Sequence, residues 1–88
     1  MILRSEIIVS EFEGGFVAVA AEEASEYFHG MIKLNKTGAF ITELLRKETT
    51  LEEIVSAICE KYNVSAEKAK LDAEKIIKAY RSVSLLVE

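Results

Sequence analysis

The hydrophobic pattern of this chain changes period once, at Asn35, and that change limits the folds open to it. Between residues 6 and 34 the apolar positions fall in short β-branched and aromatic runs separated by glycine and polar residues. From residue 35 onward they recur every three or four residues, as one face of a helix does. The sharpest case is Leu51, Ile54, Val55, Ile58 and Tyr62, a progression of i, i+3, i+4, i+7 and i+11 that predicts an amphipathic helix ending near Tyr62. A chain that is strand-like in front and helical behind belongs to the α+β class.

The front half resolves into three strands. Glu6 to Phe12 is the first, Glu13-Gly14-Gly15 supplies the permissive backbone of a hairpin turn, and Phe16 to Ala20 is the second. Met31 to Leu34 is the third, following a polar stretch in which Ala21 to Tyr27 has the composition of a helical turn. Three consecutive strands predict an antiparallel meander.

The helical half carries its own start signals. Asn35 is an N-cap for a first helix over about 36–46, with Phe40, Ile41, Leu44 and Leu45 as its apolar face. Thr50 and Glu53 have the spacing of a capping box, each satisfying a backbone donor of the other. Ser65 caps a third helix whose buried stripe is Ala69, Ala73, Ile76, Ile77 and Tyr80. The closing Val83 to Val87 is strand-like and is expected to rejoin the sheet or fill the edge of the core. The expected architecture is winged helix-turn-helix-like, a three-stranded antiparallel sheet followed by three helices. With 88 residues, residues 1–88 form a single domain.

Composition removes several classes of function. A single cysteine, Cys59, and a single histidine, His29, do not assemble a zinc site, and no disulfide is possible within the chain. No apolar run approaches the roughly 20 residues of a membrane-spanning helix, and the first residues lack a basic start followed by an apolar stretch, so a cytoplasmic protein without membrane partners is expected. The glycine pair is not followed by the Lys-Ser/Thr of a phosphate loop. His29 has no nucleophile or carboxylate at motif spacing, and Glu22, Glu23 and Glu26 read as solvated surface rather than as an acid-base pair. The expectation is a protein with no catalytic residues, no cofactor and no metal.

The segment Leu34-Asn35-Lys36-Thr37-Gly38-Ala39-Phe40-Ile41-Thr42-Glu43-Leu44-Leu45 resembles the Leu-Asn-x-Thr-Gly/Ala-Ala-x-Ile-x-Glu-Leu-Leu segment of the PqqD family. Thr50 to Val55 with Tyr62 is similar to that family's second helix, and Val64 through Asp72 to Leu85-Leu86 to its third helix and closing segment. The likeness spans residues 30–88, and the first 29 residues agree in strand character. Two departures stand out. Ser84 replaces the glycine that commonly precedes the Leu-Leu pair, which implies a different C-terminal turn, and Tyr27-Phe28-His29-Gly30 replaces an acidic or proline-containing stretch.

The resemblance implies a peptide chaperone, or recognition element, of natural-product biosynthesis of the coenzyme PQQ kind. Such a protein binds the leader segment of a ribosomally made precursor peptide and presents it to a modifying enzyme, often a radical S-adenosylmethionine enzyme. A three-stranded sheet has edges, and an edge strand accepts an added strand, so Met31, Ile32, Lys33 and Leu34 are the expected peptide site. The resemblance places the third helix across the groove from that edge. Lys70, Glu74, Lys78 and Arg81 share a face there, and Ile77 joins Ile32 and Leu34 as apolar contacts, with Lys78 and Arg81 giving charge complementarity. The same periods equally describe core positions for Ile32, Leu34 and Ile77 and a solvated face for the lysines.

Two other classes compete. A winged helix that reads DNA, as a transcription regulator does, needs a concentrated positive surface. This chain carries a net charge of −4, and its first 30 residues hold six acids against Arg4 alone. The third helix has Lys68, Lys70, Lys75, Lys78 and Arg81 but also Glu67, Asp72 and Glu74, so nucleic acid is not the expected partner. A subunit that only docks an enzyme is the other. A free sheet edge also permits pairing with a second copy, giving a monomer or weak homodimer.

Overall fold

The computed structural model describes residues 1–88. Its element order is β1 (Ile2–Leu3), β2 (Ile7–Phe12), β3 (Gly15–Ala20), a single 3-10 turn (Glu22–Glu26), β4 (Met31–Leu34), α1 (Lys36–Leu44), α2 (Leu51–Tyr62), α3 (Ala66–Ser82) and β5 (Leu86–Val87). The antiparallel sheet runs in the order β2-β3-β4, as the three runs of the front half predict. Glu13 and Gly14 both adopt positive φ, 47° and 81°, between the paired ends Phe12 and Gly15. A two-residue connection with both residues left-handed matches the twist of the strands that it joins.

Each helix starts where a side-chain oxygen replaces the missing intrahelical partner. Asn35 accepts from the Gly38 amide at 2.8 Å, Thr50 from Glu53 at 3.2 Å and Ser65 from Lys68 at 3.1 Å. The expected capping box at Thr50 closes differently. The Glu53 carboxylate accepts the Thr50 hydroxyl at 3.2 Å instead of the Thr50 backbone amide.

α1 packs on one face of the sheet, and α2 and α3 pack against α1 and against each other. Ile41, Leu45, Ile54, Ile58, Ala69, Ala73 and Tyr80 are fully buried between them, and Ile7, Ala18 and Leu34 extend the core onto the strands. The last residues do not rejoin the main sheet. β5 pairs antiparallel with β1, Leu3 with Leu86, and the Leu3 amide donates to the Leu45 carbonyl at 2.8 Å. This second ribbon ties both termini to the end of α1. Its strands are too short to announce themselves in the sequence.

The expected change in the C-terminal turn does not occur. Ser84 takes φ 61°, the left-handed conformation glycine adopts without strain. The Leu85 amide still reaches back to the Tyr80 carbonyl at 3.0 Å, closing the last turn of α3 as a Schellman motif does.

Candidate peptide-binding site

β4 has one strand neighbour, β3, and no backbone hydrogen bond from Met31 to Leu34 goes elsewhere in the chain. Its register is Phe16 with Leu34, Val17 with Lys33, Ala18 with Ile32 and Val19 with Met31. Antiparallel pairs alternate between those that exchange both hydrogen bonds and those that exchange none. The tight turn makes Phe12 and Gly15 a bonded pair, and the Ala21 amide donates to the Glu6 carbonyl in the same phase. It follows that Phe16 and Ala18 bond across to Leu34 and Ile32. The amides and carbonyls of Met31 and Lys33 therefore point away from the sheet.

The side chains along β4 alternate with its pleat. Leu34 is buried and Ile32 half-buried on the helix side, whereas Met31 and Lys33 are exposed. Below the strand, a shallow cleft of about 100 Å³ separates β4 and the start of α1 from α3, lined by Lys33, Leu34, Gly38, Asp72, Lys75 and Ile76. Gly38 sets its depth. A Cβ at that position would lie 3.1 Å from Ile76 Cδ1 and 3.2 Å from Leu34 Cδ2.

The structure brings Met31, Ile32, Lys33 and Leu34 together at the open edge but places the expected third-helix residues elsewhere. Ile77 is 5% exposed within the core and presents nothing to a groove, because it lies on the inward stripe of α3. Lys70 lines a larger open cavity of about 610 Å³ between α2 and α3, with Leu51, Val55, Cys59 and Ala66. At about 100° per residue, Lys70, Glu74, Lys78 and Arg81 all lie about 120° or more around α3 from Ile76. Arg81 is held by Glu88, with contacts of 2.8 and 2.6 Å. The hydrogen bond and charge of Arg81 draw the Glu88 carboxyl below its ordinary pKa, and those of Glu88 raise that of Arg81. The α3 residues that line the cleft beside β4 are Asp72, Lys75 and Ile76, of which the sequence reading placed Ile76 in the core and gave the other two no contact with a peptide. Nothing in the helical period distinguishes the flank of α3 that meets β4 from the flank that meets α2.

The positive charge of α3 is partly neutralised in place. Lys68 reaches Asp72 at 2.9 Å, in addition to the Arg81–Glu88 pair. This leaves Lys33 and Lys75 as the cations of the β4 cleft without an acidic partner. No three residues of the kinds that ligate metals cluster anywhere in the structure, and no helix is long and apolar enough to cross a membrane.

The fold is shared with two solved structures. One, described as TbiB1 in complex with the TbiA(beta) leader peptide, superposes with a TM-score of 0.69 at 23% identity, covering 98% of this chain and 94% of that one. The other, lasso peptide synthetase B1 complexed with the leader peptide, gives 0.67 at 20% identity over 98% and 95%. No curated protein matches the sequence. The model of the family described as coenzyme PQQ synthesis protein D (PqqD) matches residues 13–86, a span that contains β3, β4 and all three helices. The chain belongs to the PqqD family.

Proposed function

We propose that this protein is a cytoplasmic peptide chaperone without catalytic activity of its own. It binds the leader segment of a ribosomally synthesised precursor by adding it as a strand to β4, and presents the precursor to a modifying enzyme of the radical S-adenosylmethionine type. The observation that carries this reading is the unpaired outer edge of β4, where Met31 and Lys33 each offer an amide and a carbonyl. Four residues at about 3.3 Å each give roughly 13 Å of ladder, enough for a short extended segment. The chain's own C-terminus does not compete for that edge, because β5 pairs with β1. Family membership and two structural neighbours described as leader-peptide complexes support the same reading.

Backbone pairing supplies affinity without sequence choice, so selection falls to the side chains beside the added strand. Ile32, Leu34 and Ile76 offer apolar contact, and Lys33 and Lys75 suit a carboxylate of the peptide. Lys70, Glu74, Lys78 and Arg81 lie on the other flank of α3 and are assigned no contact with the added strand. Titration of the protein with the leader encoded beside its gene, followed by NMR, tests the assignment. Large amide shifts are expected at Met31 and Lys33, with cross-strand contacts to the peptide. Tight binding that leaves those two amides unmoved places the peptide elsewhere.

A further inference from the structure

The face of the sheet turned away from the helices has the wrong chemistry for solvent. An antiparallel sheet with one packed face ordinarily turns polar side chains outward. Cross-strand register puts Ile8, Val19 and Met31 in one row of this outer face, Ser10, Val17 and Lys33 in the next, and Phe12 at its hairpin end. Five of these seven side chains are apolar. Ile8, Phe12 and Met31 are 49%, 45% and 52% exposed, Val17 is buried at the centre of the face, and none of the five belongs to the hydrophobic cluster beneath the helices or packs against it. A contiguous apolar patch without a structural role marks an interaction surface.

The charge around the patch narrows what covers it. Glu13 adjoins Phe12 in the turn, Glu6 immediately precedes β2, and Glu22, Glu23 and Glu26 follow β3 in the 3-10 turn, where Glu6, Glu23 and Glu26 line a pocket with Arg4 as its one cation. None of them takes part in an ion pair. Two copies of the chain meeting through this face would bring these acids together, which opposes a homodimer. A partner with an apolar patch bordered by lysine and arginine meets both features.

We infer that the outer face of the β2-β3-β4 sheet is the docking surface for the modifying enzyme, through an apolar patch bordered by basic side chains on that enzyme. The assignment to this enzyme rests on the function proposed above. Met31 and Lys33 belong both to this face and to the open edge of β4. A peptide strand added there becomes a fourth strand of the same face and widens the surface that the enzyme meets. Peptide and enzyme therefore bind cooperatively, and each raises the affinity of the other by the same factor.

The test uses the full chain, a fluorescent leader peptide and the modifying enzyme encoded with it, comparing wild type with the Ile8→Thr/Phe12→Thr double variant. Both changes retain β-forming residues at exposed positions, and circular dichroism checks the fold. The variant is expected to bind leader within about twofold of wild type, as exposed substitutions away from a site do. Its affinity for the enzyme is expected to fall by about tenfold or more, as loss of apolar anchors does. Wild-type binding to the enzyme should weaken as ionic strength rises and tighten when leader is saturating. Equal enzyme affinity in variant and wild type overturns the inference, as does absence of any wild-type complex with the enzyme. A wild-type dimer in analytical ultracentrifugation that the double variant turns into a monomer overturns it in favour of a second copy. Face-dependent binding of the enzyme with no leader binding removes the proposed peptide function and leaves the docking surface standing.

Discussion

The Tyr80 hydroxyl lies 2.8 Å from Thr42 Oγ1 with both residues fully buried, and Thr42 in turn donates to the Gly38 carbonyl at 2.8 Å. Thr42 has one hydrogen and gives it to Gly38, so Tyr80 is the donor to Thr42. This short chain of bonds fastens α3 to α1 one turn below the cleft at β4. Thr42→Val leaves the Tyr80 hydroxyl buried without an acceptor and should lower stability by about 1–3 kcal/mol in urea denaturation.

Burial also raises the Tyr80 pKa above its ordinary value of 10.0. The folded state then holds this proton longer than the unfolded chain. The stabilising contribution is complete below about pH 10 and is lost as pH climbs through the folded-state pKa. The stability advantage of wild type over Tyr80→Phe should therefore shrink in alkaline solution. A constant difference across that range contradicts the assignment.

Gly38→Ala brings opposing effects together. Alanine favours the helix by about 1 kcal/mol, while its methyl would press on Ile76 and Leu34 at 3.1 and 3.2 Å. Overpacking costs about 1–3 kcal/mol, so net destabilisation should not exceed about 2 kcal/mol. Leader affinity, measured by anisotropy, should fall further than stability does, because the displaced side chains line the cleft.

Lys33→Pro removes an outward amide that the sheet does not use, whereas Ile32→Pro removes one that bonds to β3. The first variant should keep the fold by circular dichroism and lose leader affinity by about tenfold, the equivalent of 1.4 kcal/mol. The second should unfold β4. Similar melting behaviour in the two would contradict the phase of the ladder.

Ser84→Gly should stabilise the protein by about 1 kcal/mol or less in thermal denaturation. Left-handed geometry costs a non-glycine residue about 1–2 kcal/mol, and the greater freedom of glycine in the unfolded chain takes back part of the gain. The Arg4 guanidinium donates to the Ser84 backbone carbonyl at 2.7 Å, a bond that uses no side-chain atom of Ser84 and survives the change.

Arg81→Glu separates the two flanks of α3. It breaks the contact with Glu88, whose carboxyl should return toward the ordinary range in an NMR titration. Leader affinity should stay unchanged, because Arg81 lies far around the helix from Ile76. A marked loss of affinity would bring the flank of Lys70, Glu74 and Lys78 back into the peptide site.

Much of the fold was legible in the residues themselves. The caps at Asn35, Thr50 and Ser65, the hairpin at Glu13-Gly14 and the stripe from Leu51 to Tyr62 all depend on neighbours within a few positions, and local chemistry determines them. The open strand was legible for the same reason, since a three-strand meander must end in edges. Tertiary structure decided how α3 is turned about its axis. That rotation depends on contacts such as Gly38 with Ile76 and Thr42 with Tyr80, 38 residues apart in sequence. It exchanges Lys70, Glu74, Lys78 and Arg81 for Asp72, Lys75 and Ile76 beside β4. Tertiary structure also decided that β5 pairs with β1, through two-residue strands at opposite ends of the chain, and so left the edge of β4 open. A helical period states which residues share a face, but only packing across the core states what that face meets.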